Sequence, residues 1–339
     1  MKKLIPKFSL SLFPFVKKPL ILLYNLTQRC NLRCDYCFGQ YYTQSEELPL
    51  EQSKDLLSQF YALGVRRLGL GGGEPLLYKD IDQLIEFAIK KGFDVGLNSN
   101  GILVPDHLPA LKRLSNLSIS IDGANAEIHD CYRGKGSFAK TMLGIEAAFK
   151  EHIPLHFCCT LTQKNQEEWL ELLVLAKKYQ AKLQISPLYH QISGQESGVF
   201  PKPIEPGKLK KVLREIIREK KSDNTVFFSD QTYQLILDWP NYAQDYSANR
   251  ESGHPVCLAG KKIITLDSQG NLFPCLRVSG SGKGRNCLDL GALKAYETLE
   301  LPACKSCKWA CYIEYNSLLN LSFGSIKNFL VLRSKRALN

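Results

Sequence analysis

The sequence predicts an α/β protein: a partial (βα)6 TIM-like barrel followed by a small C-terminal cysteine-rich α+β domain. Short apolar, strand-like runs alternate with amphipathic helical stretches from Leu20 to about Pro187, the pattern of parallel βα units. Beyond Pro187 the alternation gives way to a stretch punctuated by Gly, Ser and Pro. Most of the 12 cysteines are grouped near 30–37 and 257–311, one group on each side of that change.

The strands are placed at 20–26, 65–70, 93–97, 115–121, 154–161 and 182–187. Helical patterns lie between them at 50–63, 79–91, 137–150 and 166–180, with apolar residues three and four apart. Right-handed crossovers curl six such units into an open barrel, and chemistry then belongs at the C-terminal ends of the strands. After 193–207 come a basic helix near 208–221, a helical pattern at 229–238 and a polar loop at 240–255. Residues 261–275 read as a hairpin turning at Asp267-Ser268-Gln269-Gly270, with a helix near 289–300 after it. The expected division is a basic amphipathic segment at 1–19, the barrel at 20–190, a connecting segment at 191–255, the cysteine domain at 256–322 and a basic tail at 323–339.

An apolar fraction of 44% and a mean hydropathy of -0.18 suit a globular chain with an ordinary core. No stretch reaches the ~20 apolar residues of a membrane helix. Pro6, Lys7, Pro14, Lys17 and Lys18 break the opening segment, which lacks a cleavage site and is expected to be retained. Grouped thiols without an export signal point to a reducing, cytoplasmic setting and to metal. Of the net charge of +11, Lys2, Lys3, Lys7, Lys17 and Lys18 supply +5 and Lys327, Arg333, Lys335 and Arg336 supply +4. Solvated tails are the plain reading of these ends, and a peripheral contact with anionic lipid at the inner membrane face is the alternative. With only about +2 left for the body, nucleic acid is not an expected partner.

Cys30, Cys34 and Cys37 stand in the loop TQRCNLRCDYCF. Three thiolates on one short loop can hold a cubane cluster and leave one iron without a protein ligand, as a catalytic centre requires. A zinc knuckle shares the CxxC spacing, but the loop follows the first strand, carries Phe38 after its third cysteine and is followed at 71–77 by GGGEPLL. In these two segments the chain resembles the radical S-adenosylmethionine superfamily, over roughly its first 190 residues. The resemblance implies that Cys30, Cys34 and Cys37 hold a catalytic 4Fe-4S cluster whose open iron binds S-adenosylmethionine. An electron from that cluster then splits the sulfonium to a 5′-deoxyadenosyl radical, which abstracts a substrate hydrogen atom.

The family's GGEP element falls on Gly72, Gly73, Glu74 and Pro75, where bare glycines let the backbone approach the methionyl ammonium and Glu74 offers a carboxylate nearby. Residues 98–101 (NSNG) resemble the family's polar turn after strand three, which puts Asn98 at the site. Ser118, Ser120 and Asp122 end strand four as hydrogen-bond partners for the ribose or methionine part. The stretch HDCYRGKGSF at 129–138 resembles the segment after strand four in the peptide-modifying and sulfatase-maturing branch. Arg133 is accordingly expected to hold the cofactor carboxylate as a bidentate pair. Gln184 and Ser186 lie where the open barrel would meet the adenosyl group. No general base is identifiable.

Cys257, Cys275, Cys304, Cys307 and Cys311 can supply four ligands and a spare. The GNLFPC element ending at Cys275 and the CKSCKWAC run resemble the twitch extension, a shorter relative of SPASM. That implies one auxiliary 4Fe-4S cluster on Cys257, Cys275, Cys304 and Cys307, with Cys311 a substitute ligand or free thiol. A tetrahedral zinc site is the alternative. Cys131, Cys158, Cys159 and Cys287 have no evident partner and are expected to act as small buried hydrophobes.

By the same resemblance the substrate is expected to be a ribosomal peptide or a protein side chain. A small molecule of metabolite or cofactor biosynthesis is the alternative, and a lipid at a membrane surface comes third. Flavodoxin or ferredoxin is the expected reducing partner. The non-enzyme alternative is a catalytically dead, metal-stabilised binding protein, against which the complete cysteine loop and Glu74 argue.

Overall fold

The structure is a computed structural model that describes residues 18–37, 46–189, 204–279 and 281–334. The N-terminal segment as far as Lys17, together with Phe38, His190, the stretch 191–203, Lys335 and Arg336, lies outside the described residues.

The six expected strands form as β1 (Ile21–Thr27), β2 (Arg67–Gly72), β3 (Asp94–Ser99), β4 (Asn116–Ser120), β5 (Leu155–Leu161) and β6 (Lys182–Pro187), paired in that order and all parallel. Their helices are α1 (Leu50–Leu63), α2 (Ile81–Lys91), α3 (Leu108–Leu111), α4 (Ala126–Arg133), α5 (Ser137–Lys150) and α6 (Trp169–Lys178). Helix α4 has no counterpart among the expected elements. It is eight residues of mostly polar sequence, too short to display a period, and Asn125 caps it by accepting from the Ile128 N–H at 3.0 Å.

Along each strand one set of side chains is apolar and nearly inaccessible, as with Leu68 and Leu70 of β2 or Leu183 and Ile185 of β6, all at most 1% exposed. These pack under the helices, and each such burial contributes roughly 1.5–3 kcal/mol. The alternate set is polar or small and less buried near the strand ends: Asn25, Gly71, Asn98, Ser120, Thr160 and Ser186. The concave face is thus polar at its C-terminal rim. At the opposite rim Arg67 pairs with Asp94 at 2.9 Å and donates to Asn116 Oδ1 at 2.5 Å, tying β2, β3 and β4 together.

The chain continues as α7 (Pro206–Ser222), α8 (Asp230–Leu237), β7 (Tyr246–Ser247), β8 (Ile263–Leu266), β9 (Asn271–Phe273), β10 (Arg285–Asn286), α9 (Cys287–Glu297), β11 (Ser306–Cys307), α10 (Ala310–Leu319) and α11 (Phe323–Ser334). Strand β8 lies parallel to β1, with Ile21 opposite Ile263 and Tyr24 opposite Leu266. The hairpin expected in a separate second unit therefore extends the barrel's own sheet, in the order β10-β9-β8-β1-β2-β3-β4-β5-β6. On the other edge Val226, expected within a connecting segment, bridges Leu183 of β6.

Residues 323–334, expected as part of a basic tail, form α11. Its apolar residues are not confined to one face, so no helical period was visible. Buried polar contacts hold it instead: Asn328 donates to Phe227 O and Glu314 Oε1, both at 2.9 Å, while Glu314 Oε2 accepts from Ser229 and Thr232. No described helix is long and apolar enough to cross a membrane.

Candidate active site

The cysteine loop leaves the C-terminal end of β1 and is gripped by the ends of the next three strands. Gly73 N–H donates to Thr27 O at 2.7 Å and Glu74 N–H to Arg29 O at 2.8 Å. A Cβ on Gly72 would lie 2.3 Å from Thr27 O, and one on Gly73 2.3 Å from Arg29 O, so both glycines are required by the loop backbone beside them. The side-chain-free space on the concave face belongs instead to Gly71, where an added Cβ would meet only Asn25 Oδ1, at 3.8 Å. Sequence reasoning passed over this first glycine of GGGEPLL, although strand alternation counted back from Gly73 places it inward.

Glu74, expected to offer a carboxylate to the cofactor, is fully buried. Its oxygens accept from Ser99 Oγ at 2.9 Å and from the N–H groups of Asn100 at 2.7 Å and Leu76 at 3.1 Å. Burial pushes its pKa up and these donors oppose the shift. A desolvated carboxylate needs such donors, and this one joins the ends of β2 and β3. Asn100 in turn donates to Asn31 of the loop at 2.6 Å. Pro75 is buried at the start of a short 3-10 turn.

Beyond β4 the loop meets an ionic clamp. Asp122 is fully buried and accepts from Arg133 Nε at 2.5 Å, from Tyr36 OH, and from the Thr160 N–H at 2.9 Å. Arg133 Nη2 donates to Tyr36 OH at 2.6 Å, and Nη1 stands 4.0 Å from Cys34 Sγ. The guanidinium expected to clasp a cofactor carboxylate is thus engaged with Asp122 and Tyr36 and faces a cysteine sulfur. Asp122 is likewise committed inside the fold. Tyr36 was legible only as a residue between two cysteines.

Burial pushes the Cys34 thiol up to about 11, opposed by Arg133, and also raises Cys30. Cys30, Cys34 and Cys37 lie within one another's electrostatic reach. Among the described residues no three His, Cys, Asp or Glu side chains close around a single ion. The donor set fits a cluster: soft thiols that repel one another when ionised gain the cation they need, and an adjacent arginine balances charge. Of the other expected contacts, Asn98 is exposed and Ser120 partly so on the concave face. Ser118 lies deeper and accepts from Asn116 at 3.0 Å. Gln184 is oriented by His156 Nδ1 at 2.8 Å and Cys158 Sγ at 3.5 Å.

His129 is fully buried in α4 and accepts the Asp122 N–H at 3.3 Å. Burial, reinforced by the Arg133 charge, holds its pKa down to about 4. The unfolded chain, with a histidine pKa near 6.5, binds this proton first as pH falls. The folded state is therefore expected to lose up to about 3 kcal/mol between about pH 6.5 and 4 through this residue. Denaturation midpoints measured across that range are expected to show a shallower acid slope in His129→Asn, and an unchanged slope would disprove the assignment.

In the C-terminal region Cys257, Cys275, Cys304 and Cys307 act electrostatically on one another, and burial raises the first, second and fourth, Cys275 to about 11. Arg277 Nη2 stands 3.8 Å from Cys304 Sγ. A buried ion pair, Lys308 with Asp245 at 3.0 Å, fastens the chain beside Cys307. Cys311 is different: burial pushes it up to about 12, and the thiol whose charge it feels is Cys158 on β5, a residue expected to lack a partner. Helix α10 packs against β6 and carries Cys311 toward the barrel.

A parallel partial barrel with three clustered thiols at its strand ends is the architecture of a cluster-dependent enzyme. Residues 24–176 match the model of the Radical SAM superfamily. The AdoMet-dependent heme synthase of Methanosarcina barkeri is 28% identical over 76% of this chain and 76% of its own length. The mycofactocin maturase MftC of Mycolicibacterium smegmatis is 27% identical over 76% of this chain, which spans 64% of that relative. The structure of native anSMEcpe with bound AdoMet and Kp18Cys peptide superposes with a TM-score of 0.66 at 18% identity, covering 93% of this chain and 99% of the other. Residues 24–176 therefore carry a Radical SAM domain, and the chain is an enzyme of that class.

Proposed function

We propose that this enzyme cleaves S-adenosylmethionine reductively at a 4Fe-4S cluster held by Cys30, Cys34 and Cys37 and takes a hydrogen atom from a ribosomal peptide or protein side chain. The observation that carries this reading is the convergence of the β2, β3 and β4 ends on the three-thiol loop, beside a polar concave face. When bound, the cluster and S-adenosylmethionine supply one-electron cleavage and hydrogen-atom abstraction. The chain supplies position. Gly71 leaves the space of a side chain open, Asn98 and Ser120 offer polar groups beside it, and Gly72, Gly73 and Glu74 fix the loop backbone. Arg133 acts through Cys34 and Tyr36 as a positioning residue.

An auxiliary 4Fe-4S cluster on Cys257, Cys275, Cys304 and Cys307 belongs to the same proposal. Four mutually repelling thiols, Cys275 buried and the other three partly so, support it, with Cys311 left out because it lies toward Cys158. A peptide substrate is supported by the peptide bound in the anSMEcpe structure. A second reading, a small molecule of cofactor biosynthesis, is supported by the heme synthase that aligns over 76% of both chains.

The test is anaerobic reconstitution and reduction with S-adenosylmethionine, followed by assay of 5′-deoxyadenosine. Deuterated candidate peptides, including the product of any short reading frame beside the gene, and a deuterated porphyrin precursor are offered in parallel. Deuterium is expected in 5′-deoxyadenosine from the peptide; deuterium from the porphyrin alone would establish the second reading. No 5′-deoxyadenosine from iron-loaded enzyme would sink both.

A further inference from the structure

We propose that the cationic cavity over Cys257 and Cys304 is the docking surface for an acidic one-electron carrier protein, which exchanges electrons with the auxiliary cluster there. The inference rests on the auxiliary-cluster reading above and adds a place and a direction to it. The four thiols are not equally placed. Cys275 is only 6% exposed, and the charges of Cys275 and Cys307 reach Tyr189, two residues beyond the end of β6. The Tyr189 ring lies 4.8 Å from that of Trp309, which is 5.5 Å from that of Tyr312. One side of the group therefore faces aromatic rings that lead to the barrel.

Cys257 and Cys304 border an open cavity of about 430 Å³, whose lining does not include those rings. Its apolar wall includes Val256 and Leu301, 39% and 49% exposed, and its charged residues are Arg250, Lys261 and Lys305, with no carboxylate among the lining side chains. All three cations are exposed. In a body that carries only about +2, three unopposed cations around one cavity are a local concentration of charge.

An apolar floor with a one-sign rim suits a short-lived protein complex, in which charge sets the encounter rate and a small contact area permits release. A metal centre whose ligands border the cavity gives such a complex something to do. One electron leaves the carrier, whose flavin or cluster is oxidised by one, and enters the auxiliary cluster, which is reduced by one. No bond is made or broken and no proton moves.

The experiment is stopped-flow reduction of the reconstituted full-length enzyme by reduced flavodoxin, for wild type and for the variant Arg250→Glu/Lys261→Glu/Lys305→Glu. Iron content and electron paramagnetic resonance are recorded first. The variant is expected to keep its iron and its reduction by a neutral photoreduced deazaflavin, while its rate constant with flavodoxin falls about tenfold or more at low salt. The wild-type rate itself is expected to fall as salt rises, a readout that requires no variant. Equal rates in variant and wild type, or a wild-type rate indifferent to salt, would overturn the docking surface. So would loss of binding of an acidic peptide with the flavodoxin rate intact, which would make the cavity a peptide site. A wild-type enzyme holding a single cluster would overturn the auxiliary reading before any carrier is added.

Discussion

Cys34→Ala is expected to abolish 5′-deoxyadenosine formation and to remove about four of about eight iron atoms per chain, as loss of one of the two proposed cubane clusters requires. Cys34 is the most enclosed thiol of its loop and the one Arg133 faces. Cys257→Ala is expected to remove a similar amount of iron from the other site. Cys311→Ala is expected to keep the full complement, because that thiol lies toward Cys158 rather than among the other four. Iron analysis with electron paramagnetic resonance of each variant decides the assignment. Iron loss in Cys311→Ala would show that the ligand set is wrong.

Arg133→Met is expected to cost about 3–5 kcal/mol, because it leaves the fully buried Asp122 carboxylate without its counter-ion. The loss should reach beyond the pair. Tyr36 OH bonds both partners, and the Asp35 N–H donates to Tyr132 O at 3.0 Å, so α4 and the cysteine loop are held as one body. Denaturant titration should show most of the loss restored in Arg133→Met/Asp122→Leu, where no charge is stranded. If the single variant is as stable as wild type, the clamp is not structural. A stable Arg133→Met enzyme with weakened cofactor binding alone would return the arginine to the ligand.

The barrel was legible because its strands and helices repeat a strong local period: β6 and the helices α1 and α5 lie at the expected residues. The two cysteine groups were legible from spacing. What spacing does not convey is direction. Glu74, Asp122 and Arg133 carry the right chemistry for a ligand, but each is turned into the fold, where a buried charge must find donors or a counter-charge. Helices α4 and α11 escaped for opposite reasons, one too short for a period and the other not apolar along a single face. The place of β8 beside β1 was invisible, since nothing local in IITL says which edge it will join.

That pairing has a consequence for how the molecule is made. In the sequence order of synthesis, β1 emerges first, yet its outer edge waits for Ile263–Leu266 before it is covered. Until then a nascent barrel presents an unpaired, apolar parallel strand, the kind of edge that recruits other chains. A chain cut short before the hairpin would lose more than its C-terminal cysteines: it would leave the strand that launches the catalytic loop as the border of the sheet.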